Sequence, residues 1–227
     1  MSNVEVPSGI ASIAADGQLT PRQKRRLLIE MALKRVRPGT GSSHEFMRRR
    51  TAMYDWPDLR TVLQGIDWVI VGGVATRTYM PERMTKDLDI LVRRADEEFV
   101  LERLQDAGYK IVSELAVPGY LLLSPEGVEI DLLLGEQPWL NEALANPERD
   151  PAGYPVLGFP YLVLMKMNTG RGRDFGDVTT MLGWANDEQL QAARDVVARY
   201  SQQDSEDLES LIFLGQHERQ WPQDEDQ

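Results

Sequence analysis

The strongest constraint on this chain is a short apolar run that ends in two glycines, followed about a helix later by two acids one residue apart. The first stretch is Val69-Ile70-Val71-Gly72-Gly73-Val74-Ala75. The second is Arg83-Met84-Thr85-Lys86-Asp87-Leu88-Asp89-Ile90-Leu91-Val92. Both apolar runs read as strands. Side chains two residues apart share a strand face, which puts Asp87 and Asp89 side by side. Two adjacent carboxylates repel each other, and burial sharpens the repulsion. A divalent cation relieves it, and hard oxygen ligands at this spacing suit Mg²⁺, which takes a few carboxylates together with substrate phosphates. Glycines at the start of a helix let the backbone come close to a phosphate, where free N–H groups face an anion.

Composition narrows the setting. With 227 residues, 42% of them hydrophobic, the chain can build one medium domain, or one domain with a small helical extension. It has no cysteine, so disulfides and thiolate metal sites are excluded, and a reducing cytoplasm fits. Only two histidines, His44 and His217, leave oxygen as the expected metal ligand. The start, Met1 to Pro7, lacks a basic segment followed by an apolar one, and no apolar run approaches a membrane span. The expectation is a cytoplasmic protein with no membrane partner.

The net charge of −11 argues against a protein coated with nucleic acid, but the charge is uneven. Eleven basic against six acidic residues through residue 60 leave the remainder at −16. A basic N-terminal arm on an acidic body could hold RNA locally. The alternative is a basic helix packed on an acidic domain.

Thr20-Pro21-Arg22-Gln23 has the makings of a helix start: Thr as N-cap, Pro first, Gln three residues after the cap. Leu27, Leu28, Met31, Ala32 and Val36 recur near a 3.6 period, predicting a helix to about Arg37, which Pro38-Gly39 stops. Gly41-Ser42-Ser43 reads as a linker, Arg48-Arg49-Arg50 as a basic run, and Trp56-Pro57 leads into a short helix through Leu63. Strands are expected at Trp68 to Val71 and Leu88 to Val92, with a helix from Ala75 to Met80 between them. A helix from Asp96 to Ala107 closes at Gly108, and Tyr109 to Ser113 reads as an edge strand. Tyr120 to Leu123 and Val128 to Leu134 flank Ser124-Pro125-Glu126-Gly127 as a hairpin. Beyond Gly158 the chain reads as helices: Tyr161 to Asn168, Phe175 to Trp184, Glu188 to Tyr200 and Asp207 to Leu214. The expected class is α/β (α+β), with a small mixed β-sheet. The division is a flexible tail over 1–17, an N-terminal helical arm over 18–66, a core over 67–135, a C-terminal helical cap over 136–215 and a flexible acidic tail over 216–227.

The second hairpin strand, Val128-Glu129-Ile130-Asp131-Leu132-Leu133-Leu134, sets an acid into an apolar segment. If it lies beside the strand of Asp87 and Asp89, three carboxylates converge, which is a two-metal arrangement. Taken alone, Asp131 is equally a strand-end acid facing water. Gly72-Gly73, an intervening helix, Asp87-Leu88-Asp89 and a later Asp131 together resemble the nucleotidyltransferase fold of the DNA polymerase beta superfamily, in its minimal bacterial, AbiEii-like form. The run Arg83-x-Thr85-x-Asp87-x-Asp89 adds to the likeness, which covers roughly Trp68 to Trp184.

The resemblance implies that Gly72 and Gly73 cradle the β- and γ-phosphates of an NTP, ATP included. It implies that Asp87, Asp89 and Asp131 hold two Mg²⁺ ions, that Asp131 takes part in deprotonating the attacking hydroxyl, and that Arg83 and Thr85 line the nucleotide site. Many relatives have Gly-Ser where this chain has Gly72-Gly73, so a hydroxyl toward the phosphate is missing here.

Lys166 lies in an apolar helix, and a buried lysine is costly unless paired. Arg171-Gly172-Arg173-Asp174-Phe175-Gly176-Asp177 follows it. By the same resemblance Lys166 contacts the nucleotide phosphates, with Asp174 and Asp177 positioning it. The plainer reading is a helix-capping Asp174 and an inter-helix Lys166–Asp177 ion pair. Arg77 and Tyr79 face either the nucleotide or the surface, and the tryptophans read as packing residues.

The implied activity is Mg²⁺-dependent transfer of an NMP from an NTP to a hydroxyl acceptor. That acceptor is an RNA such as tRNA, a protein or a small molecule. A toxin–antitoxin or phage-defence setting with an antitoxin or other partner protein goes with the AbiEii-like form. The alternative is an inactive nucleotide-binding or antitoxin-like module of the same fold, and a third is a purely structural protein with a docking helix.

Overall fold

The computed structural model describes residues 19–36, 56–81, 85 and 87–219. The expected tail over 1–17, the linker Gly41-Ser42-Ser43, His44, the basic run Arg48-Arg49-Arg50, Arg83 and Trp221 lie outside these residues.

Helix α1 (Pro21–Leu33) begins as its sequence asks. The Thr20 side chain accepts from the Gln23 N–H, and the Gln23 side chain accepts from the Thr20 N–H at 2.9 Å. The helix ends at Leu33, a turn short of the expected Arg37. Its buried residues are Arg25 and Ile29, one turn apart, while Met31 of the apolar set and the neighbouring Leu33 are exposed. Helix α2 (Leu59–Val62) is capped by the Asp58 side chain.

Strand β1 (Trp68–Val71) is buried along its whole length and runs straight into helix α3 (Gly72–Ala75) and a 3₁₀ turn, Thr76–Thr78. Helical structure therefore starts three residues before the expected Ala75. Thr76 Oγ1 donates back to the Gly73 carbonyl at 2.7 Å and tightens the end of the turn. Tyr79 resolves to a packing role: it is buried, its hydroxyl donates to the Leu157 carbonyl at 2.8 Å, and its ring meets Phe159 edge-on.

The remaining elements are β2 (Leu88–Arg93), α4 (Glu97–Asp106), β3 (Lys110–Glu114), β4 (Gly119–Leu123), β5 (Glu129–Gly135), α5 (Leu140–Ala145), β6 (Glu148–Arg149), β7 (Pro155–Val156), α6 (Phe159–Met167), α7 (Gly172–Trp184), α8 (Asp187–Tyr200) and α9 (Ser205–Arg219). The expected helix over Asp207 to Leu214 thus runs on to Arg219, into the stretch read as tail. Helix α5 and the two-residue strands β6 and β7 had no counterpart in the sequence reading.

The sheet has seven strands in the order β3-β4-β5-β2-β1-β7-β6. Strands β2 and β5 run parallel at its centre, with β1 antiparallel to β2 and β4 antiparallel to β5. The mixed α/β class holds. Along β5 the pattern alternates: Ile130, Leu132 and Leu134 are buried, while Glu129 is exposed and Asp131 half-buried. With a period of two, an apolar face toward the core forces Asp131 onto the opposite face. At the sheet edge all five residues of β3 are exposed, and its pairing with β4 slips by one between Ile111 and Ser113, leaving Val112 as a bulge.

Helix α6 is the apolar axis of the C-terminal helices, with Lys166 among its buried residues. Helices α7 and α9 cross on glycines. A Cβ on Gly215 would lie 2.1 Å from the Thr179 carbonyl oxygen, and one on Gly183 would lie 2.4 Å from that of Gly215. Backbone there meets backbone, so no side chain can move aside. Among the described residues no helix is long and apolar enough to cross a membrane.

Gly215→Ala is expected to destabilise the protein by about 1–3 kcal/mol, as over-packing does. The urea midpoint measures it, and an unchanged midpoint would show that the two helices separate freely.

Candidate active site

The registration of β2 with β5 builds the site. Asp89 and Asp131 are direct partners across the parallel pair, and Val71 stands opposite Asp89 on the other side. Residues paired across a ladder share a face, so both carboxylates lie on the same side of the sheet. Asp87, exposed just ahead of β2, is near enough to act electrostatically on both. Two of the three acids, Asp89 and Asp131, are thus paired on one face, and Asp87 acts on both from just ahead of β2.

Because β1 ends opposite Asp89, the chain turns directly over that carboxylate. Gly72 has φ +63°, and a Cβ there would sit 1.9 Å from Asp89 Oδ2. The Gly73 N–H donates to the Asp89 carboxylate. Gly72 thus answers two demands, left-handed backbone and a side-chain-free approach. The glycine turn holds an acid of the site as well as forming the start of α3.

Burial pushes the Asp89 carboxyl up from 3.8 to about 7, and the neighbouring Asp131 and Asp87 add to the shift. The Gly73 N–H and the Lys166 ammonium oppose it. Asp131 is also raised, by burial first and then by Asp87 and Glu129. The set is short of positive charge in the protein itself. Among the described residues no group of three or more His, Asp or Glu side chains is placed so that it could by itself hold a metal ion. The donor set is nevertheless all oxygen, paired and mutually repelling, which is the chemistry a hard divalent cation satisfies.

Lys166 reaches this side from α6. It is 5% exposed, and its Nζ donates to Asp174 Oδ1 at 2.9 Å and to Asp177 Oδ2 at 2.7 Å, both on α7. Asp174 Oδ2 accepts from the Thr169 hydroxyl at 2.7 Å and from Arg171 Nε at 2.9 Å. Burial would raise the Asp174 carboxyl, but Lys166, Thr169 and Arg171 outweigh it and hold it below the usual range. The inter-helix ion pair is therefore real, and both acids hold the lysine. It coexists with a small electrostatic pull of Lys166 on the Asp89 carboxylate.

The other expected site residues are less informative. Thr85 is half-buried two residues ahead of Asp87, and Arg83 is outside the described residues. Gly72, Gly73, Asp87, Asp89, Asp131, Lys166 and Asp177 are brought to one region.

Two relations were missed from sequence. One is the contact of Gly72 with Asp89, which an antiparallel register placing a glycine next to an acid could have signalled. The other is Arg25, read as part of a basic arm. It recurs one turn before Ile29, the apolar position of α1 that is buried, and that spacing was the available signal.

Residues 60–137, which contain Gly72, Gly73, Asp87, Asp89 and Asp131, match the family model of aminoglycoside-2''-adenylyltransferase. No curated protein matches the chain. Among solved structures, the lincosamide antibiotic adenylyltransferase LnuA with lincomycin bound is similar over 55% of this chain and 90% of its own, at 16% identity and a TM-score of 0.37. The enzyme ANT(2'')-Ia in complex with adenylyl-2''-tobramycin is similar over 66% of this chain and 88% of its own, at 15% identity and a TM-score of 0.38. Terminal uridylyl transferase 4 from Trypanosoma brucei with bound GTP is similar over 80% of this chain and 58% of its own, at 14% identity and a TM-score of 0.28.

Two outcomes follow from the geometry. Gly72→Ala should destabilise more than Gly127→Ala. Both positions have positive φ, but a Cβ at Gly127 meets nothing within 4 Å. The difference isolates the clash with Asp89 at about 1–3 kcal/mol, and equal losses would show that Asp89 swings away freely.

The second outcome concerns pH without added metal. A carboxyl raised on folding favours the folded state at low pH, and that contribution fades as pH climbs through the folded value. Relative to Asp89→Asn, the wild type should lose on the order of 2–3 kcal/mol between pH 5 and pH 8. Paired denaturation curves read this, and a difference independent of pH contradicts it.

Proposed function

We propose that this protein is a nucleotidyltransferase that moves a nucleoside monophosphate from an NTP to a hydroxyl group and releases pyrophosphate. The in-register pair Asp89 and Asp131, with the Gly72–Gly73 turn against Asp89 and Lys166 in electrostatic reach of it, carries the reading. The family-model match over the same stretch supports it.

Asp87, Asp89 and Asp131 would hold two Mg²⁺ ions. Bound there, magnesium would neutralise the triphosphate and lower the pKa of the attacking hydroxyl. The protein's own groups then divide the work. The acids fix the reacting phosphate above the sheet. Asp131, the half-buried acid nearer the open side, takes the proton of the acceptor hydroxyl as its oxygen bonds to the α-phosphorus and pyrophosphate leaves. Lys166 faces the phosphates, held against rotation by Asp174 and Asp177. In the absence of a serine at position 73, the hydrogen bonds from the turn come from backbone N–H groups. Most of the rate in such chemistry comes from positioning and charge stabilisation.

A small, cationic, hydroxyl-bearing acceptor of the aminoglycoside kind fits best. Exposed Glu129 and Asp87 add negative charge beside Asp131. The matched family is named for such a reaction. An RNA acceptor rests on the basic arm, and the arm's described arginines are largely engaged: Arg22, Arg25 and Arg26 pair with Asp204, Glu206 and Asp207. A toxin–antitoxin or phage-defence role rests on the AbiEii-like resemblance.

Thermal shift with each NTP, with and without Mg²⁺, followed by pyrophosphate release with an aminoglycoside or with tRNA, tests this. Asp87→Ala and Asp89→Ala should lower release by roughly a hundredfold or more while the fold is kept. Undiminished release in either variant refutes the assignment. An NTP shift with no release from the wild type points to the inactive binding module.

A further inference from the structure

We propose that Arg25, on the N-terminal helix, is a positioning residue for Lys166. The proposal rests on the reading of Lys166 as the phosphate-facing cation. Arg25 is 4% exposed, which is unusual for a residue of a basic surface helix. Two of its nitrogens donate hydrogen bonds and the third makes an ion-pair contact without hydrogen-bond geometry. Nε donates to Asp207 Oδ2 at 3.0 Å, Nη2 lies 2.7 Å from Asp204 Oδ1, and Nη1 donates to the Met167 carbonyl. The two acids sit at the start of α9 and in the turn before it. Met167 is the last residue of α6, immediately after Lys166.

The guanidinium therefore joins the start of α9 to the end of the helix that carries the lysine. A C-terminal helix carbonyl has no partner within its own helix, and here the arginine supplies one. Its fork is suited to this, because it is planar, fixed in shape and always charged.

A second contact acts on the same turn. Gly170, between α6 and α7, has φ +64°, and a Cβ there would lie 2.6 Å from Pro21 Cα. Helix α1 is thus seated against the turn that leads from Lys166 to Asp174. A small void between the helices is lined by Arg25, Lys166, Gly170 and Asp174, so the two cations face one space without touching. Like charges in one void repel, and each is held to its own pair of acids: Arg25 to Asp204 and Asp207, Lys166 to Asp174 and Asp177. Loss of the guanidinium frees the end of α6 and opens room into which the Lys166 ammonium can withdraw. The helical arm then belongs to the site's machinery, although it touches no reactant.

The experiment uses the full chain and two readouts. In the first, nucleotide-free protein is acylated with a limiting amine reagent, and labelling at Lys166 is read by mass spectrometry against exposed Lys110. Arg25→Met should raise labelling of Lys166 about tenfold, a coupling of ordinary size between connected residues. Arg25→Met combined with Asp204→Asn and Asp207→Asn serves if the single variant does not fold, because it strands no buried acid. Gly215→Ala is the control for lowered stability alone. Equal labelling in the Arg25 variant and this control overturns the proposal.

In the second readout, the KM for NTP should rise about tenfold in Arg25→Met with kcat less affected, and the same change should add nothing in a Lys166→Met background. Arg25→Lys, which keeps the charge but not the fork, should recover only part of the loss. Effects that multiply in the double variant overturn the proposal. If the wild type binds no NTP, the phosphate reading of Lys166 fails, and the labelling still decides whether Arg25 sets its position.

Discussion

The pairing of β2 with β5 is the constraint from which the site follows. Parallel strands in contact present matched residues on one face, and here the matched residues are Asp89 and Asp131. A slip of one residue would send one acid into the apolar layer of Ile130 and Leu132 and bring a leucine to the open face. The buried alternation along β5 therefore guards the placement of the acids: the energy that keeps the leucines in the core keeps the carboxylates together. The repulsion between the acids is the accompanying cost, visible in the raised Asp89 and Asp131 carboxyls. Sites that bind ions commonly hold such unfavourable charge, because the stored repulsion is released when the ion arrives.

Local patterns made much of this readable from sequence. The strands flanking the two glycines, the helix from Glu97, the hairpin around Ser124 to Gly127 and the C-terminal helices each announce themselves by period, cap or turn residue. The convergence of Asp87, Asp89 and Asp131 could be stated as a condition, because a strand's period dictates side-chain faces once the neighbouring strand is known. Strand neighbours are not encoded locally, and the parallel β2–β5 pairing had to come from the fold.

The same limit explains the misread features. Strands β6 and β7 are two residues each and exist only because β1 offers an edge beside them. Helix α1 shows a tidy apolar stripe, yet what it buries is set by its partner helix, which presents acids as well as leucines. Arg25 was legible only through its spacing from Ile29. The closeness of Gly72 to the Asp89 side chain could not be seen either, because it depends on the β1–β2 register.

The exposed border at β3 has a consequence for behaviour in a crowded cell. An open strand offers a free row of amides and carbonyls on which a second chain can build, the first step toward fibrous aggregates. The extra residue at Val112 interrupts the even spacing such growth requires, and Lys110 and Glu114 set a charge at each end of the strand. Both features work against growth of a second strand on that side of the sheet.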